Sequence, residues 1–218
     1  MTLSGNPSNN PKLRLAILIL AAGAGGRLGG YPKAILKKDG STLLKRLIHS
    51  IKGFNPTETL VVTGFYPDEV EGEIESLQNS IQSPITWIRN PNPEAGQSSS
   101  VRLGLEALQS DYDALLIALC DQPNVGAQEV ESLLEQFNQR SANQEIVLPI
   151  VSGQRGNPVL FSKEVIRRIL AIPEMVCRPY MDQHPELVKI FDTCNCAYIL
   201  DVDTQDDIQK LGLDKIKP

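Results

Sequence analysis

Five glycines fall within eight residues, Gly23 to Gly30, directly after the apolar run Leu15-Ala-Ile-Leu-Ile-Leu20. A continuous apolar stretch of this length ending in glycine suits a central strand covered on both faces by other layers. Glycine lets the backbone take left-handed angles and come close to a ligand. Successive exposed N–H groups in such a loop form a concave anion site. In open α/β sheets, ligands gather at the carboxyl ends of the strands, which is where this loop lies. One segment thus points both to a fold and to an anionic ligand.

Two familiar glycine-loop patterns do not fit. The dinucleotide fingerprint needs glycine at its first, third and sixth positions; counted from Gly23, the sixth is Leu28. In a P-loop, Gly-Lys is followed by Ser or Thr. Gly25 and Gly30 have the right separation, but Tyr31-Pro32 follows. What remains distinctive is a pair of cations, Arg27 and Lys33. Arg27 can clamp phosphate oxygens bidentately, and Lys33 offers a point charge. Cations so placed suit phosphoryl-type transfer, in which charge builds on equatorial oxygens. On the residues alone, two solvated loop charges remain the alternative.

The rest of the chain alternates strand and helix. A helix is expected behind Ser41 or Thr42 as cap, with Leu43, Leu44, Leu47, Ile48 and Ile51 on one face. Strands are predicted at Thr59–Thr63, Ile85–Ile88, Ala114–Leu119, Glu145–Ile150, Pro158–Phe161 and Tyr198–Val202. Helices are predicted at Pro67–Leu77, Ser98–Leu108, Val125–Phe137, Thr204–Leu211 and from a Ser162 cap to about Leu170. Pro173 to Pro185 holds three prolines and no period, and reads as an irregular loop. The alternation predicts a three-layer α/β fold around a parallel-dominated sheet. The 218 residues suffice for one such domain, expected over 13–218 behind a loose polar tail at 1–12.

Composition narrows the function classes. A net charge of −5 gives no support to nucleic-acid binding, which usually shows a basic face. The longest apolar run, Leu15 to Ala22, is far short of the roughly 20 residues of a membrane span. The start has no apolar stretch of signal type, so a cytoplasmic location is the default expectation. Cys120, Cys177, Cys194 and Cys196 are too few and too irregularly spaced for a disulfide framework, and Cys194-x-Cys196 lacks zinc-site spacing. His49 and His184 are isolated and carry no assigned role. Asp121 stands apart: it follows the apolar strand Ala114–Leu119, so its carboxylate should emerge at the same sheet edge as the glycine loop. One or two carboxylates plus substrate phosphates is how Mg²⁺ is commonly held. A helix cap for the segment near Val125 is the plain alternative.

The string Leu20-Ala-Ala-Gly-Ala-Gly-Gly-Arg-Leu-Gly-Gly-Tyr-Pro-Lys-Ala-Ile-Leu36 resembles the signature of nucleotidyltransferases of GT-A-like, Rossmann-like fold. Within them it most resembles the molybdenum-cofactor branch, especially its cytidylyltransferase-like members. Four further matches follow in the same order: Gly96-Gln-Ser-Ser-Ser-Val-Arg-Leu-Gly104, Cys120-Asp-Gln-Pro123, Gly156-Asn-Pro-Val-Leu-Phe161 and Asp201-Val-Asp-Thr204. The resemblance covers roughly residues 14–212 and implies an α/β/α fold of the nucleotide-diphospho-sugar transferase type with a mostly parallel mixed sheet.

It also implies roles. Leu20, Ala21, Ala22, Gly23 and Gly25 would support the base and ribose or line the loop, and Arg27 and Lys33 the phosphates. Gly96 and Ser100 would help form the base pocket, and Asp121 would hold Mg²⁺. Asp201, in preference to Asp203, would be the second acidic ligand. Gly156, Asn157, Pro158 and Arg178 would face the acceptor. The Ala21-Ala22 pair favours CTP over GTP. The implied reaction is transfer of a nucleoside monophosphate from CTP, or another NTP, to a phosphorylated acceptor such as molybdopterin, with a molybdoenzyme or its chaperone as possible partner. Two departures stand out: Gly25 replaces a Ser common in relatives, and Pro173-Glu-Met-Val-Cys-Arg178 lacks both glycines of a Gly-Asp-x-Gly-x-Arg pattern. The alternatives are a sugar-phosphate or other small-molecule nucleotidyltransferase, and a non-catalytic nucleotide-binding accessory protein.

Overall fold

A computed structural model describes residues 13–78 and 85–216; the tail expected over 1–12 lies outside the described residues. In chain order the elements are β1 (Leu15–Leu20), β2 (Lys37–Lys38), β3 (Ser41–Thr42), α1 (Leu43–Ile51), β4 (Glu58–Thr63), α2 (Pro67–Gln78), β5 (Ile85–Arg89) and α3 (Gln97–Ala107). There follow β6 (Ala114–Leu119), α4 (Ala127–Asn138), β7 (Ile146–Val151), β8 (Gln154–Arg155), β9 (Val159–Ser162) and α5 (Lys163–Ala171). The chain closes with α6 (Cys177–Gln183), β10 (Val188–Asp192), α7 (Gln205–Lys210) and β11 (Leu213–Asp214).

The main sheet runs β10-β7-β9-β6-β1-β4-β5, with β8 paired to β7. Strands β6, β1, β4 and β5 are mutually parallel, β10 is parallel to β7, and β9 is antiparallel to both neighbours. Strand β1 sits at the centre, and its alternation divides the core. Leu15, Ile17 and Ile19 join one buried cluster with side chains of α1, α2 and α4. Ala16, Leu18 and Leu20 face a second cluster with residues of α3, α5 and α6. The period of two thus places a helical layer on each face, which gives the three-layer α/β/α architecture.

Local chemistry explains the helix starts. The Thr42 hydroxyl accepts from the Lys45 N–H at 3.1 Å, which decides between the two candidate caps of α1. Ser162 accepts from the Val165 N–H at 3.2 Å and Thr204 from the Asp207 N–H at 3.2 Å. A third cluster, Leu28, Leu36, Leu43, Val202, Ile208 and Leu213, lies off the main sheet. It joins the far side of the glycine loop to α7 and to the small sheet β11-β2-β3.

Two expectations are corrected. The stretch 173–185 contains helix α6: Pro179 occupies its first turn, where a missing N–H costs little, and Cys177, Tyr180 and Met181 bury one face. Tyr198–Val202 is not a strand. Asn195 accepts from the Ala197 N–H and folds Cys196–Ile199 into a 3₁₀ turn. The Tyr198 carbonyl then accepts from the Gln122 amide and the Asn157 N–H instead of a strand neighbour. The strand in this region is β10, whose mixed Val-Lys-Ile-Phe-Asp sequence carries little apolar signal because it pairs on one side only. No helix among the described residues is long and apolar enough to cross a membrane.

Because Ile17 is fully buried among the β1 neighbours, Ile17→Ala is expected to destabilise the fold by about 2–5 kcal/mol. Urea unfolding followed by circular dichroism measures this; a loss below the range of core truncations would contradict the central placement of β1.

Candidate active site at the carboxyl edge of the sheet

The glycine loop leaves β1 and turns back on itself. The N–H groups of Leu28 and Gly30 both donate to the Gly25 carbonyl, at 2.8 and 3.1 Å. Gly25 sits at φ 56°, and a Cβ there would stand 2.0 Å from the Tyr31 carbonyl oxygen. Glycine alone takes this turn without strain, which accounts for Gly25. The loop is braced from behind: the Leu28 carbonyl accepts from Gln205 and Lys215, and the Tyr31 hydroxyl accepts from the Ile216 N–H.

In front of the loop lies a cleft of about 580 Å³. Leu20, Ala21, Ala22, Gly23, Gly25, Arg27, Lys33, Gly96, Ser100, Asp121 and Asp201 all line it. Strands β1 and β6 are parallel neighbours, so the residues following their carboxyl ends meet. The Lys33 ammonium donates to Asp121 Oδ2 at 2.8 Å and to Asp203 Oδ1 at 2.6 Å. Burial alone would lower the Lys33 pKa, but the Asp121 carboxylate, with Asp203, more than reverses this and holds the ammonium above its ordinary value. Lys33 therefore stays cationic throughout the neutral range.

Exposure separates the two loop cations. The Lys33 and Asp121 side chains are 18% and 19% exposed. Arg27 is 77% exposed and pairs with Asp203 at 3.3 Å. An exposed pair of that kind contributes about 0–1 kcal/mol, so Arg27 can leave Asp203 for a better anion at small cost.

Asp121 does not cap a helix: α4 starts after Gly126, whose N–H donates to the Glu129 carboxylate. Its second oxygen, Oδ1, is buried and has no hydrogen-bond partner. Asp201, at the mouth of the cleft, is pushed up to about 6, first by partial burial and then by the Asp121 charge. An orphaned carboxylate oxygen beside a second, cation-poor carboxylate is a donor set suited to a hard divalent cation. Among the described residues no group of three or more His, Cys, Asp or Glu side chains is gathered for a metal, so a cation here would take its remaining ligands from substrate and water. Cys120 also lines the cleft, but burial pushes its thiol up, so it is a protonated, inert neighbour.

On the other side of β1, the Ser100 hydroxyl accepts from the Asn90 amide at 2.9 Å, and Asn90 also donates to Ser99. Helix α3 starts at Gly96 without a side-chain cap, so the three serines do not serve that purpose. Gln97, from the motif that begins at Gly96, lines the cleft as well, as do Phe65 and Glu94, which no sequence motif contained.

Gly156, Asn157, Pro158 and Arg178 are not among the cleft-lining residues. A Cβ at Gly156 would stand 2.7 Å from the Tyr198 carbonyl oxygen, so close packing alone explains that glycine. Arg178 is exposed on α6. The Arg155–Asp182 ion pair, at 2.6 Å, ties the β8 turn to the same helix.

The MobA-like NTP transferase domain matches residues 17–187. This chain belongs to that family. Of curated relatives, the bifunctional protein GlmU of Mycobacterium ulcerans is 27% identical over 143 residues, covering 65% of this chain and 29% of that protein. The chain thus spans less than a third of the length of that relative. The 2-C-methyl-D-erythritol 4-phosphate cytidylyltransferase of Streptomyces coelicolor is 32% identical over 125 residues, 56% of this chain and 45% of that one. Among solved structures, Rv0371c from Mycobacterium tuberculosis superposes with a TM-score of 0.66 at 20% identity, covering 92% of this chain and 98% of that chain. A second structure of Rv0371c, TM-score 0.62 at 18% identity over 91% of this chain and 97% of that one, is a complex with manganese.

In this NTP transferase domain, Gly25→Ala places a methyl group against a backbone oxygen in a left-handed turn. A stability loss of at least about 2 kcal/mol is expected from the backbone conformation and the clash together. Thermal unfolding checks it against Gly23→Ala, which has no heavy atom within 4 Å of the added Cβ and should unfold close to wild type.

Proposed function

We propose that this family member is a Mg²⁺-dependent cytidylyltransferase that moves CMP from CTP to the phosphate of a small molecule and releases pyrophosphate. The observation that carries this reading is the convergence of Lys33, Asp121 and Asp203 with the glycine loop in one cleft. The loop amides and Arg27 receive the β- and γ-phosphates. Lys33, already charged and drawn to the Asp121 side, stabilises the negative charge that builds on the α-phosphate oxygens. An acceptor phosphate oxygen attacks the α-phosphorus in line, a P–O bond forms, and the bond to the pyrophosphate oxygen breaks. A phosphate monoester is largely ionised at pH 7, so no side chain has to remove a proton. Asp121, with Asp201, would hold Mg²⁺, which would supply charge neutralisation across the triphosphate.

CTP is favoured by the Ala21-Ala22 pair and by the Streptomyces coelicolor relative, a cytidylyltransferase. Molybdopterin is the acceptor suggested by the motif set. A polyol or sugar phosphate is the second reading, supported by that same relative and by the missing glycines before Arg178, an exposed side chain on α6 that, with the turn at Gly156–Pro158, we assign to the acceptor. A purely accessory nucleotide binder is disfavoured by the intact Lys33–Asp121 contact.

Pyrophosphate release tests the proposal, with each of the four NTPs, Mg²⁺, and molybdopterin or 2-C-methyl-D-erythritol 4-phosphate as acceptor. Asp121→Ala and Lys33→Ala are each expected to lower turnover by about 10²–10³-fold, the scale for losing one charge-stabilising group, and EDTA should abolish it. Wild-type turnover in Asp121→Ala would remove the metal assignment. CTP binding without pyrophosphate release for either acceptor would favour the accessory role.

A further inference from the structure

Large apolar side chains at a protein surface are common and usually need no explanation. Of the four among the described residues, Phe65, Ile172, Ile190 and Ile216, Phe65 is the one that lines the cleft, at 37% exposed. Its position follows from the sheet. Strand β1 has β6 on one side and β4 on the other, and Asp121 and Phe65 each stand two residues past the carboxyl end of those strands. Two strand spacings, about 10 Å, therefore separate the strands that carry them, the scale of a nucleoside monophosphate lying across β1. The β6 side holds the carboxylates and Lys33. The β4 side of the cleft holds Phe65, Ser100 and, from the turn after β5, Glu94, and among the described residues it brings no Lys or Arg into the cleft.

The turn bearing Phe65 is tightly fixed. A Cβ at Gly64 would stand 2.8 Å from the Ala22 carbonyl oxygen, so the β4 turn presses directly on the loop that follows β1. The next residue, Tyr66, donates its hydroxyl to the Ala24 carbonyl at 2.7 Å. Phe65, partly exposed, thus sits on a backbone anchored at both neighbours, a preorganised apolar side chain at the end of the cleft away from Lys33.

We propose that Phe65 is the stacking platform for the nucleobase of the bound nucleoside triphosphate. The inference rests on the nucleotidyltransferase reading above and adds the residue that grips the base. Every base has a π-face, so stacking on an aromatic ring adds affinity without selecting sequence. Choice among bases falls to the polar groups around Ser100, and loss of Phe65 weakens all four NTPs alike.

Calorimetric titration with CTP and with inorganic tripolyphosphate, both with Mg²⁺, separates base contacts from phosphate contacts. Phe65→Ala and Phe65→Leu are expected to weaken CTP by about tenfold, about 1.4 kcal/mol, while Phe65→Tyr keeps wild-type affinity. Tripolyphosphate, which has no base, should bind all of them equally. Unchanged CTP affinity in Phe65→Ala overturns the inference and leaves the proposed reaction standing. Equal loss of CTP and tripolyphosphate also overturns it, because Phe65 would then act only by holding the loop. Wild-type protein that binds none of the four NTPs sinks the nucleotidyltransferase reading itself, and this inference with it.

Discussion

At the carboxyl edge of the sheet Lys33 draws Asp121 and Asp203 together, and Asp201 lines the same cleft. The Lys33 ammonium bridges Asp121 and Asp203 and leaves Asp201, whose carboxyl is held up by burial and the Asp121 charge. Much else in the structure serves this arrangement. Lys33 is placed by the end of the glycine loop, the loop by the left-handed turn at Gly25, and the turn by the small third core behind Leu28. The backbone carries the same link, since the Val202 N–H donates to the Asp121 carbonyl at 3.0 Å, which brings the two acid-bearing segments together.

The cleft is chemically lopsided, and the lopsidedness is topological. Strand β1 lies between β6, which ends in charge, and β4, which ends in a glycine-backed turn with aromatic side chains. A ligand with an anionic end and a flat apolar end matches both sides at once, whereas a simple phosphate matches only one. Helix α6 and the β8 turn lie apart from this cleft, joined by Arg155 and Asp182.

Elements with strong local signals were legible in the sequence: the apolar runs of β1 and β6 and the capped amphipathic helices α1, α5 and α7 fall within a residue or so of where patterning puts them. Helix α6 was hidden because three prolines mask its short apolar face, and β10 because an edge strand needs little hydrophobicity. Segment 198–202 has the composition of a strand, yet its Tyr198 carbonyl is claimed by both Gln122 and Asn157. Among candidate site residues, the glycines, Arg27, Lys33 and Asp121 announced themselves through motif and strand ends. Phe65 and Glu94 did not, since one aromatic or one acid after a strand carries no pattern.

The sequence by itself determined the alternation of strands and helices, the glycine-lined loop and the presence of a cation and an acid at neighbouring strand ends, because these depend on periodicity and backbone freedom within a few residues. Only the tertiary structure decided that Asp203 pairs with Lys33 while Asp201 makes no ion pair among the described residues, that Gly156 is demanded by Tyr198, and that Phe65 enters the cleft. Each of those is set by contacts between segments dozens of residues apart or more, where strand order and close packing, not local preference, choose the partner.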